Sequence, residues 1–146
     1  MFRLNNKAAF TIIEVLCAMG MFTLLFLFIV TVNLNIKKIE YNKENNFRYT
    51  SFFEAFKNKI VANTAFQEVV MLKGNTLYIK GENLYLEKLK YTNIVDLVQI
   101  NEPVKEPFIK LELTGTDVIK TNMELHYSEF KQKLIKKMSF YKGNYS

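Results

Sequence analysis

The chain has 146 residues and a mass of 17.2 kDa, room for one modest domain. Its 20 basic and 14 acidic residues leave a formal charge of +6, carried almost wholly by scattered lysines, which speaks for solubility before nucleic-acid binding. Cys17, within an apolar run, is the only cysteine and His126 the only histidine, so an intrachain disulfide is excluded, as is a cysteine-based metal or thiol site outside that run, and no ligand spacing for a metal is present. No catalytic set and no cofactor are expected.

From Val15 to Ile36 the chain runs 22 residues without a charge, and the part up to Val32 is almost unbrokenly apolar. As a helix this run is about 33 Å long, enough to cross a hydrocarbon core of about 30 Å. A purely soluble enzyme is therefore disfavoured. Arg3 and Lys7 supply a basic start, but the run ends in VTVNLNIKK without the small-x-small pair that a cleaved secretory signal needs, so the segment is expected to stay attached. The basic residues on its two sides, Arg3 and Lys7 against Lys37 and Lys38, do not settle its orientation.

Glu14 is the odd residue. It follows FTII and precedes VLCAMGMF, and a carboxylate in such surroundings is costly unless it is paired or interfacial. It lies one helical turn beyond Phe10. A cut before Phe10 would create an ammonium group at membrane depth, and that charge would need a partner.

The stretch KAAFTIIEVLCAMGMFTLLFLFI resembles the processing site and first helix half of type IV pilin-like proteins, over residues 7–30. Members share a short basic leader, a small residue, then Phe-Thr-Leu-Ile-Glu and an apolar helix. The resemblance implies a leader over residues 1–9, cleavage by a prepilin peptidase on the cytoplasmic side between Ala9 and Phe10, and methylation of the new Phe10 amine. It implies that Glu14 neutralises the terminal amine of a neighbouring subunit. Residues 10–36 are then the transmembrane half of the helix and residues 37–72 its soluble half, with the carboxyl end outside the cell. Two positions depart from the common pattern: Ala9 stands where Gly is usual, and Thr31 where many major pilins carry a Pro. The run EVLCAMGMFTLL is more similar to minor pilins and pseudopilins.

No Pro or Gly occurs from Met21 to Lys73, so one helix can continue for many turns. Its soluble half carries an aromatic stripe, Tyr49, Phe53, Phe56 and Ile60 with Phe52 alongside, which must be covered. Family resemblance places a small antiparallel sheet against it, in an α+β pilin-like fold with the sheet region over residues 73–146.

Strand signals are present there independently. Asn75–Lys80 and Asn83–Lys90 read as strands joined at Gly81 and Glu82 in a hairpin. Ile109, Leu111 and Leu113 alternate with Lys110 and Glu112, and Ile119, Met123, Leu125 and Tyr127 share one parity, so the two runs flanking Gly115 read as a second hairpin with one apolar face. Between the hairpins, residues 91–107 predict a short strand or a turn of helix before a loop bounded by Pro103 and Pro107. A long helix followed by strand pairs without cysteine is similar to the minor pseudopilins of Gram-positive competence systems.

Residues 130–142 interleave Lys131, Lys133, Lys136, Lys137 and Lys142 with Phe130, Phe140 and Tyr141, the mixture a non-specific DNA surface uses. The alternative is a terminal strand or helix with Leu134, Ile135 and Met138 inward and the lysines in solvent. His126 has the parity of the solvent face.

The resemblance implies a non-catalytic minor pilin or pseudopilin subunit of a type IV pilus, competence pseudopilus or related secretion filament. Its expected partners are the prepilin peptidase, other pilin or pseudopilin subunits, the membrane and, indirectly, the assembly platform and ATPase. A filament-tip adhesin or DNA-binding module, with a DNA contact through Lys131, Lys133, Lys136 and Lys137, is the first alternative. A signal-anchored extracytoplasmic domain that never polymerises is the second.

Overall fold

The computed structural model describes residues 6–144, and side chains from Thr11 onward. The chain divides into two compact units, Met1–Tyr41 and Asn42–Ser146. Helix α1, Asn6–Asn58, is followed by a π turn at Lys59–Asn63. Then come α2 (Phe66–Met71), β1 (Thr76–Lys80), a 3-10 turn at Gly81–Asn83, α3 (Leu86–Tyr91), α4 (Ile94–Leu97), β2 (Phe108–Thr114), β3 (Val118–Glu129) and β4 (Gln132–Gly143).

In the first unit every described residue from Thr11 to Tyr41 is exposed, including its run of Leu, Phe, Ile, Val and Met. This helix is long and apolar enough to cross a membrane.

The second unit is an α+β arrangement, the carboxyl-terminal part of α1 packed on a four-stranded antiparallel sheet of order β1-β2-β3-β4. Phe52, Phe53, Phe56 and Ile60 are buried, as the stripe predicts, with the Phe52 and Phe56 rings stacked at 5.9 Å. Opposite them lie Leu77 and Ile79 of β1, Ile109, Leu111 and Leu113 of β2, and Ile119, Met123 and Leu125 of β3. The β2–β3 register sets Ile109 against Leu125 and Leu111 against Met123, so the alternating residues of both strands share the inner face. Gly115 begins the turn between these strands at φ +111°, where a Cβ would collide with the Val118 carbonyl oxygen.

Four expectations are corrected. The soluble half of the helix does not reach residue 72: backbone angles turn extended at Thr64 and Ala65, and α2 starts afresh at Phe66. Asn83–Lys90 is not a strand. Leu84 and Leu89 reach the core from a 3-10 turn and α3, a packing that an alternating strand would not give. The Lys59 ammonium seals the end of α3, donating to the Leu89 carbonyl and at 2.6 Å to that of Thr92, where a cation meets the negative end of a helix. β1 therefore pairs with β2 instead of forming the first hairpin, and the region after residue 73 holds two helices besides its sheet. Finally, Ile135 is not inward. Leu134, Lys136, Met138 and Phe140 share the inner face of β4 by the two-residue period, which turns Ile135 outward with 52% of its surface exposed.

Of the two alternatives expected for residues 91–107, which are all described, the structure shows the turn of helix and no strand. α4 is the turn of helix, and Gln99 forms a single bridge with Tyr78 before the irregular segment leading to β2.

Truncating a ring of the buried stripe removes apolar contacts and leaves a cavity. Phe56→Ala should lower the unfolding free energy of residues 37–146 by about 3–5 kcal/mol. Phe47→Ala, on the same helix but 73% exposed, should change it by less than about 0.5 kcal/mol. Urea unfolding followed by circular dichroism measures both.

Candidate functional site

The residues singled out by sequence fall in two places. Ala9 and Phe10 lie within the backbone span of α1 but outside the residues whose side chains are described. Glu14 is described. It is exposed on α1 and makes no ion pair among the described residues, within a surface otherwise made by Ile12, Ile13, Val15 and Leu16. Two threonine hydroxyls further along are satisfied inside the helix. Thr23 Oγ1 donates to the Met19 carbonyl and Thr31 Oγ1 to the Leu27 carbonyl, each at 2.8 Å. Such bonds to the preceding turn remove two hydroxyls from the cost of an apolar environment. Residues 11–36 thus offer an apolar cylinder with one carboxylate, Glu14, near its amino-terminal end.

The second place is β4. Lys131 occupies the two-residue turn between β3 and β4 beside Phe130, both at positive φ (68° and 48°). Lys133 and Lys137 stand on the outer face of the sheet and Lys136 on the inner face. Three of these four lysines meet carboxylates of the chain itself: Lys137 with Glu124 at 2.6 Å, Lys136 with Glu54 at 3.3 Å, and Lys133 with Glu106 at 3.8 Å. The Lys136 ammonium also lies 5.8 Å from the Phe53 ring centre. The structure therefore distributes the basic residues over both faces and the turn, and does not gather them toward one ligand.

Glu124 is the centre of the polar network on the outer face. It accepts from Lys137 and meets His126 Nε2 at 3.2 Å, while the His126 ring stacks on Phe108 with centroids 4.6 Å apart. The hydrogen bond from Lys137 holds the Glu124 carboxyl below its usual value of 4.5, against the opposing effect of burial and with help from His126. Nearby, the hydrogen bond to Glu112, at 2.8 Å, raises the Lys110 ammonium above its usual value of 10.5, again against burial.

Sequence reasoning missed Arg48. Its guanidinium sits between the rings of Tyr49 and Tyr85, 4.9 and 4.5 Å from their centres, and donates to both hydroxyls at 3.0 and 3.2 Å. It lines an open groove of about 670 Å³ with Lys80, Glu82 and the 101–107 segment. Its bond to the Tyr85 hydroxyl fastens the segment that bears Tyr85 to α1, a structural role, while its buried Nε has no hydrogen-bond partner among the described residues. No spacing signal could have found it, because Tyr85 is 37 residues away.

No family model, curated protein or solved structure matches this chain.

A carboxyl whose pKa is depressed on folding contributes stability that is present above the unfolded value and lost as pH falls through the folded one. Unfolding free energy should therefore decline as pH drops below about 4.5. Glu124→Gln should flatten part of that decline and cost no more than about 1 kcal/mol at neutral pH, since its main partner Lys137 is 69% exposed. Urea titrations between neutral and acidic pH test this.

Proposed function

We propose that the chain is a non-catalytic minor pilin or pseudopilin subunit, held in the cell membrane by the first half of α1 and assembled through that half into a filament. The observation that carries the reading is the residue order KAAFTIIE followed by an uncharged apolar run: a basic leader ends at a small residue directly before Phe10, and a lone Glu14 sits one turn later. A helix apolar enough to span a membrane supports it, as does a folded α+β unit following that helix.

In this mechanism a prepilin peptidase removes residues 1–9 and methylates the amine of Phe10. The new ammonium and the Glu14 carboxylate of an adjacent subunit neutralise each other, and the apolar helices exchange lipid for one another's surfaces. Lipid is as apolar as those surfaces, so the exchange has little hydrophobic drive. The charge pair then contributes register more than net energy. The sheet unit is extracytoplasmic, displayed on a pilus, competence pseudopilus or related secretion filament, and the assembly platform and its ATPase act on the chain through the growing filament. Three of the four lysines of β4 already face carboxylates, which favours this role over a DNA-binding tip module.

Intact mass measurement of protein recovered from its native membrane should show a chain that begins at Phe10 and carries one added methyl group. Recovery of chains beginning only at Met1, with the peptidase active, would contradict the proposal and favour a signal anchor.

A further inference from the structure

We propose that the free edge of β4 docks an acidic, extended segment of another protein, which joins the sheet as a fifth strand. The inference does not depend on the filament reading.

The sheet has two edges, and they are treated differently. At β1, Gln99 closes part of the edge by exchanging both backbone hydrogen bonds with Tyr78, at 2.7 and 2.8 Å. At β4, residues Gln132–Gly143 pair with β3 on one side, and among the described residues no backbone hydrogen bond leaves the other side. The π turn approaches it only toward the carboxyl end, where Lys142 Nζ donates to the Val61 carbonyl at 2.6 Å. A long row of unpaired N–H and C=O groups is a template for another strand.

The side chains of this edge are also incomplete. Ile109, Leu111, Ile119, Met123 and Leu125 on the inner face of β2 and β3 are fully buried, whereas Leu134 and Met138 on the same face of β4 are only half-buried. On the outer face Ile135 and Tyr141 are 52% and 63% exposed. A strand laid beside β4 would cover apolar surface on both faces as well as pairing the backbone.

Charge chooses the occupant. Residues 130–143 contain five lysines and no acidic residue. A second copy pairing through β4 would bring two five-lysine segments side by side, with lysines opposite or diagonal to lysines, and like charges so close destabilise a sheet. The lysines that guard the edge against self-pairing thus select the sign of a partner. A carboxylate of the partner would face Lys133 first, 82% exposed and held only at 3.8 Å by Glu106, and then Lys137, 69% exposed, which would share its ammonium between the partner and Glu124.

The test uses the full-length protein in neutral detergent micelles with a synthetic peptide of alternating Glu and Val, about ten residues long to match a strand. A Lys–Val peptide of the same length is the control, and amide hydrogen exchange across the sheet is the readout. The Glu–Val peptide should slow exchange in β4 by about tenfold or more at low salt, the protection fading as salt rises. The Lys–Val peptide should give none. Lys133→Glu should weaken the effect of the acidic peptide, and combined K133E and K137E should reverse the preference. Because K137E also breaks the 2.6 Å pair with Glu124, the single K133E variant, which gives up only a 3.8 Å contact at an 82% exposed side chain, keeps any loss of stability small, and urea unfolding of each variant checks it. Absence of β4 protection at millimolar Glu–Val peptide, equal protection by both peptides, or a dimer protected at β4 without any peptide would each overturn the proposal.

Discussion

The exposed surface of the amino-terminal helix from Thr11 to Ile36 is almost wholly apolar and is incompatible with water, the constraint on which the functional reading depends. Between Thr11 and Ile36 the exposed residues include Phe22, Phe26, Phe28 and most of the Leu, Ile and Met content of the segment. Covering each such side chain gains about 1.5–3 kcal/mol relative to leaving it in water. A cover of lipid or of other helices is therefore required, and both are apolar. Thr23 and Thr31 accept this environment by bonding to their own backbone. Glu14 cannot do so, because a carboxylate has no donor to offer the helix. It is the one group in the segment whose charge calls for a partner from outside it, and the proposed Phe10 amine of a neighbouring subunit has the complementary charge.

The unit beginning at Asn42 solves its own burial problem internally. Its helix contributes three rings and Ile60, its sheet contributes the alternating aliphatics of β1, β2 and β3, and the short helices add Val69, Leu89, Ile94 and Leu97. Without a disulfide, this core and its hydrogen bonds hold the fold. Arg48 and Lys59 use their charges as fasteners, one between two tyrosines and the other on the carbonyl end of α3. Most of the polar outer face is likewise committed to local pairs around Glu124 and Lys110. What remains without a backbone partner, among the described residues, is the edge of β4 that faces away from β3.

Legibility from sequence followed the range of the physical signal. The aromatic stripe and the β2–β3 hairpin were readable because helical spacing, strict alternation and Gly115 are local patterns. The segment LEKLKY was misread because Leu84 and Leu86 fit a two-residue period while Leu86 and Leu89 fit a helical one, and the decision lies in tertiary packing and in Lys59, far back in the chain. The break at Thr64 carries no Gly or Pro; Thr64 Oγ1 bonds back to the Lys59 carbonyl at 2.9 Å, an arrangement no local motif announces. Glu14 stood out because a charge within an apolar run is conspicuous in one dimension. The lysines of β4 did not disclose their partners, since Glu54, Glu106 and Glu124 come from three other segments.

The central claim is that the Glu14 carboxylate meets the amino terminus of another subunit. The most direct measurement compares wild type with Glu14→Gln in the native host, quantifying processed chain in membrane and sheared-filament fractions of the same cells. Glutamine preserves size but not charge, so the account predicts normal membrane insertion and cleavage with reduced recovery in the filament fraction, because the terminal ammonium enters the bundle unpaired. Equal filament recovery of a fully processed Glu14→Gln chain would contradict it.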